Sequence, residues 1–141
     1  MPPIPPLVRE AMKKAGVVWV AGPPRDNARA CWLHWTGDAA YLVTGPGEQP
    51  LPEIRGTATV TARSATTGGR IVTWVARIES VEPGSDEWNQ VVPALVARRL
   101  NAPDSGSIAE RWARHNTILR LVPTGELLAD GPGSPAPSET P

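Results

Sequence analysis

Prolines and glycines, 17 and 13 of them in 141 residues, cut this chain into short runs, most of them rich in β-forming residues. Val17 to Val20 stops at Gly22-Pro23-Pro24, and the turn signal Asp26-Asn27 leads into Ala28 to Trp35. Thr36-Gly37-Asp38 then turns tightly into Ala39 to Thr44, which predicts a hairpin. The next segment, Gly45 to Pro52, holds three prolines and two glycines and excludes both helix interior and central strand. Thr57 to Arg63 alternates, with Thr57, Thr59, Thr61 and Arg63 on one face and Ala58, Val60 and Ala62 on the other. Thr66-Thr67-Gly68-Gly69 turns the chain into Arg70 to Val81. There Val72, Trp74, Ala76 and Ile78 are expected inside, with Thr73, Arg77 and Glu79 on the wetter face. A last strand, Thr117 to Val122, is expected to halt at Pro123.

Three helices complete the pattern. Leu7 to Ala15 has Pro6 suited to a first helical position, a Glu10–Lys14 pair one turn apart and Gly16 at its end. Ser85 to Leu100 carries a stripe of Trp88, Val91, Val92, Leu95 and Val96, with Ser85 or Asp86 as cap and Asn101 as stop. Pro93 within it is expected to kink or divide the helix. Ser107 and Glu110 have the spacing of a capping box for a short helix running through Trp112. The fold class is therefore mainly β (α+β): a six-stranded antiparallel barrel or closed sheet, helices covering one opening, with a short N-terminal helix and two helices before the last strand. Residues 1–6 and 131–141, rich in proline, are expected as disordered tails around one domain, 7–130.

Composition narrows the function. No apolar run reaches the roughly 18–20 residues that cross a bilayer, and the start of the chain lacks a signal peptide's basic and apolar regions, so the expected location is cytoplasmic. Basic and acidic residues balance at 14 each, which argues against nucleic acid or a membrane surface as partner. Cys31 is the single cysteine, so intramolecular disulfides and cysteine-based metal sites are excluded. Six tryptophans with no phenylalanine make Trp the main large packing residue, in the core or at a dimer interface.

No catalytic group stands out. Cys31 and His34 lie three apart on one strand and so point to opposite faces; Cys31 reads as a small buried hydrophobe. Neither His34 nor His115 has carboxylates spaced to complete a metal site. Gly45 to Gly47 reads as a crossover loop or a generic phosphate cradle, and matches no nucleotide-binding fingerprint. Glu48 and Gln49, between prolines, sit in a loop stiff enough to aim their side chains. Thr59, Thr61, Arg63 and Ser64 form either a solvated outer face or a polar platform for a phosphate or ribityl chain. Arg98, Arg99, Arg111 and Arg114 read as a solvated face or as interface pairs.

The segments Cys31 to Trp35, Tyr41 to Pro52 and Thr61 to Ser64, with Arg99-Leu100-Asn101, Arg111 to Arg114 and Arg120 to Pro123, resemble small actinobacterial members of the split-barrel flavin-binding superfamily, similar in fold to pyridoxamine-phosphate oxidase. The resemblance spans roughly residues 16–128. It implies a homodimeric six-stranded split barrel that holds FMN or a deazaflavin coenzyme in a groove between subunits and acts as an oxidoreductase on a small molecule. Carried onto this sequence, it points to Thr44, Gly45, Gly47, Glu48 and Gln49, with Arg63 and Ser64, around the cofactor phosphate, and to Trp35 beside the ring. Where flavin-binding relatives commonly place Ser and Arg or Lys after the third strand, this chain has Gly47-Glu48-Gln49, and a carboxylate there repels phosphate unless it bonds elsewhere. The alternative is a non-enzymatic barrel of the same fold that has lost the cofactor and binds another small ligand or a partner protein.

Overall fold

A computed structural model describes residues 4–15, 17–22, 28–46, 48–49, 56–64, 70–98 and 107–128. Among them the elements run α1 (Pro6–Lys14), β1 (Val17–Ala21), β2 (Arg29–Trp32), β3 (His34–Trp35), β4 (Ala40–Thr44), β5 (Thr57–Ser64), β6 (Arg70–Val81), α2 (Asp86–Arg98), α3 (Ile108–His115) and β7 (Thr117–Leu127). The sheet order is β2-β1-β5-β6-β7-β4-β3, and the described pairings are antiparallel. Its two end strands are consecutive in sequence, joined by Leu33 alone, so the chain itself closes the sheet into a split barrel.

That junction explains why seven strands stand where six are expected. Ala28 to Trp35 was expected as one strand, but it changes partner at Leu33: β2 pairs with β1, and β3 pairs with β4. Leu33 is 1% exposed, so the break is anchored in the core.

Strand alternation builds the inner core. Val18, Val20, Cys31, Leu33, Ala40, Leu42, Ala58, Val60, Ala62, Val72, Trp74, Ala76 and Leu121 face inward together. Helix α1 adds Val8, Ala11 and Met12, three residues at helical spacing that share one face, to this cluster. Each of its larger side chains contributes about 1.5–3 kcal/mol by leaving water. The other two helices do not cover a barrel opening as expected. They lie on the outer face of β4, where Trp88, Val91, Val92, Leu95, Ile108 and Trp112 bury Tyr41 and Val43. Strand β4 is thus buried on both faces.

Two local expectations are narrowed, at Pro93 and Ser85, and three are corrected, at Ser107, Pro123 and Thr73. Pro93 lies inside α2 without dividing it. Ser85 caps that helix, its Oγ accepting from the Trp88 amide at 3.1 Å. Ser107 precedes α3 but makes no capping bond from its side chain. Strand β7 runs through Pro123 to Leu127; a strand tolerates proline at an edge or a bulge, and here β4 has ended opposite Leu121 while the β6 register shifts between Trp74 and Ala76. Thr73, expected on the wetter face, is 2% exposed, its hydroxyl satisfied by that of Thr61 at 3.0 Å. The expectations for Arg99, Asn101 and residues 131–141 lie outside the described residues.

Candidate functional site

The loop after β4 is held from α3. The Glu48 carboxylate, with no exposed side-chain surface, accepts from Arg111 at 2.9 Å and from the indole Nε1–H of Trp112 at 3.0 Å. Asn116 Nδ2 donates to the carbonyls of Thr44 and Pro46 at 3.2 and 3.0 Å, and Arg111 donates to the Pro46 carbonyl as well. Gly45 has φ +114°, and a Cβ there would stand 2.9 Å from Asn116 Nδ2. The Thr44 hydroxyl donates to the Gln49 carbonyl at 3.2 Å. Gln49 turns back onto β2, its Oε1 accepting from the Trp32 amide at 2.9 Å and its Nε2 donating to the Trp32 carbonyl at 3.0 Å.

The residues expected around a cofactor therefore do not converge within one chain. Thr44 pairs with Thr117, beside the Val81 end of β6, whereas Arg63 pairs with Ile71 at its other end. Ile71 to Val81 spans roughly 33 Å of strand. Trp35 is half-buried and meets Trp74 edge-on, ring centroids 6.2 Å apart. Thr59 donates to the Ala21 carbonyl at 3.4 Å, so its hydroxyl, like that of Thr61, bonds within the sheet. Gly47 and the side chains of Arg63 and Ser64 lie outside what the structure describes. The polar side chains of Thr44, Glu48 and Gln49, turned onto the protein itself, do not fit a phosphate grip.

A different constellation emerges on the outer face of β3, β4, β7 and β6. His34, Tyr41, Arg120 and Glu79 stand directly opposite one another across these four strands. With Arg77 and Glu87 they line a groove of about 610 Å³ under the start of α2. The Tyr41 hydroxyl donates to Glu87 Oε2 at 2.6 Å, and Arg120 donates to the same oxygen at 2.5 Å. Arg120 also pairs with Glu79, which accepts from Arg77 Nε at 2.8 Å. Two guanidiniums thus face two carboxylates. Burial, aided by Glu87, pushes the Tyr41 hydroxyl up to about 12. Burial and the nearby Arg98 charge hold His34 below its ordinary value, which favours a neutral ring. Hydrogen bonds from Arg120, and then from Arg77, hold the Glu79 carboxyl below its ordinary value.

Sequence reasoning missed this groove because its members come from five elements, and only the strand register sets them in a row. Cys31, as expected, is buried, 1% exposed, and burial pushes its thiol up to about 11. Among the described residues no group of three or more His, Cys, Asp or Glu is placed to hold a metal ion, and no helix is long and apolar enough to cross a membrane.

The sequence matches no protein-family model and no curated protein. Among solved structures, the chain is similar to HutZ, the heme storage protein from Vibrio cholerae, with a TM-score of 0.58 over 89% of this chain and 93% of that one, at 14% identity. The likeness spans the whole barrel and shows the fold.

Proposed function

We propose that this chain is a split-barrel protein that binds a small ligand in the groove beside Arg120, without the loop-held phosphate of the flavin-binding members of its superfamily. The observation that carries this reading is the inward engagement of Glu48, Gln49 and Thr44. Their polar atoms meet Arg111, Trp112, Trp32 and one another, and so hold the loop rather than a ligand. The groove supplies what a ligand needs: a neutral imidazole, a few apolar side chains and several hydrogen-bonding groups in a concave site. HutZ, whose name records heme storage, supports the small-ligand part of the reading.

A second reading has its own support. Val17 and Trp19 on β1 and Ile71 on β6, 46–50% exposed, offer large apolar side chains to a homodimer. A second copy would also be needed to bring the β5 end near a loop that lies roughly 33 Å of strand away. In that arrangement a flavin-type cofactor, FMN or a deazaflavin coenzyme, occupies the groove between subunits and supplies the redox chemistry of an oxidoreductase.

The experiment is an absorbance spectrum of the purified protein, then titration with FMN, a deazaflavin coenzyme and hemin, followed by tryptophan fluorescence. Saturable quenching lost in Arg77→Ala and kept in Arg63→Ala places the ligand in the Arg120 groove. The reverse pattern with FMN or the deazaflavin, in a particle of dimer mass, selects the second reading.

A further inference from the structure

The side-chain amide of Gln49 bonds to backbone on two strands at once. Cross-strand pairing of β3 with β4 runs from Trp35–Ala40 to His34–Tyr41 and stops. Two more steps of the same register would pair Leu33 with Leu42 and then Trp32 with Val43. There β2 has already turned away to β1, and the side-chain amide of Gln49 fills the opening. It accepts from the Trp32 N–H at 2.9 Å and donates to the Trp32 carbonyl at 3.0 Å, the two bonds that a neighbouring strand would make. The same Nε2 lies 3.5 Å from the Val43 carbonyl on β4. One amide therefore spans the split, touching the strand on each side of it.

We infer that Gln49 is a clasp across the barrel's split, and that the β2–β4 seam opens as a unit while the rest of the sheet stays folded. Elsewhere the strands are joined by runs of backbone pairs, eight of them between β5 and β6. At the seam, among the described residues, a single side chain does the joining, and local opening follows the weakest joint. Helix α3 sets the clasp, because Glu48 next to Gln49 is fixed by Arg111 and Trp112. Shifting α3 releases the loop, and the loop releases β2. Beneath the seam lies inner-core surface, with Cys31 and Leu33 each 1% exposed.

Cys31 is a built-in reporter, because its buried thiol reacts with a reagent such as DTNB only after the strand lifts. The test compares DTNB labelling of native wild type and Gln49→Ala with the global stability of each from urea unfolding. The expected result is labelling at least tenfold faster in Gln49→Ala than its loss of global stability accounts for. Glu48→Gln, which does not touch β2, is expected to shift labelling in the same direction by less. In wild type, the Trp32 amide is expected to exchange with deuterium before the paired amides at the centres of β5 and β6. This keeps the inference testable should a variant fail to fold. Labelling that tracks global stability alone, or a Trp32 amide that exchanges together with those central amides, overturns the clasp.

Discussion

The carboxylate of Glu48 and the indole of Trp112, 64 residues apart in sequence, meet at 3.0 Å with neither side chain exposed. Arg111 joins them, so a buried charge is both paired and hydrogen-bonded. Replacing Glu48 with Ala leaves the Trp112 N–H without this acceptor and takes the loop off α3. Breaking one side of such a pair costs about 3 kcal/mol or more, read as a lowered urea midpoint. Glu48→Gln keeps an acceptor oxygen and is expected to lose less. Equal stability of Glu48→Ala and wild type would show that the loop is held by other bonds.

Gly45 sits in the left-handed region against Asn116, where an added Cβ would meet Asn116 and the His115 carbonyl at 2.9–3.3 Å. Gly45→Ala is expected to cost about 1–3 kcal/mol through backbone strain. Gly37→Ala is the comparison, since its φ of +101° is also positive but no atom stands within 4 Å. Chemical denaturation of both variants separates strain from crowding, and the crowded site is expected to lose more.

Tyr41 is the single tyrosine, so its ionisation is visible by ultraviolet absorbance without assignment. The phenol is expected to titrate near 12 in the folded protein, against about 10 in the unfolded chain. A folded value above the unfolded one stabilises the protein below pH 10, and that contribution disappears as pH rises from 10 to 12. Glu87→Gln removes the neighbouring negative charge and is expected to move the titration down. An ordinary phenol titration in the folded wild type would contradict the buried Tyr41–Glu87 bond.

The acid side is set by Arg120, which bridges Glu79 and Glu87. Glu79 is held below its ordinary value, so its stabilisation is present above about pH 4.5 and is lost as pH falls through the folded value. Arg120→Gln leaves the two carboxylates facing each other. It is expected to lose stability near neutral pH and to show a flatter acid limb than wild type. Added salt is expected to narrow the gap between the two proteins, because these groups are partly solvated.

Much of the barrel is legible in the sequence. The bounds of β6, Arg70 to Val81, are legible because Val72, Trp74, Ala76 and Ile78 recur at every second position, although Thr73 between them is buried as well. The Thr36-Gly37-Asp38 turn is equally plain, with the Thr36 hydroxyl accepting from the Asp38 and Ala39 amides. The break at Leu33 is not legible, since nothing in Ala28 to Trp35 says that the two halves take different neighbours. Pro123 reads as a stop because proline lacks a donor, yet tertiary context supplies the edge and the bulge that accommodate it. Glu48 and Gln49 are recognisable as aimed side chains, but their targets, Trp112 and Trp32, become neighbours only through the fold. The His34–Tyr41–Arg120–Glu79 row has no local signature at all, because alignment across four strands is a property of register.

The position of β7 between β6 and β4 carries a consequence for how the molecule is made. Strand β4 finds its long-range neighbour only in the last strand of the sheet, with Thr44 opposite Thr117. During synthesis from the N-terminus, β1, β2, β5 and β6 have all their mutual pairs available before Thr117 exists. The β3–β4 hairpin must wait, one edge of β4 without its long-range backbone partner, until the final strand arrives to dock beside it. Closure of the barrel is therefore the late, non-local step in folding, and the unpaired edge of β4 is the backbone left open until then.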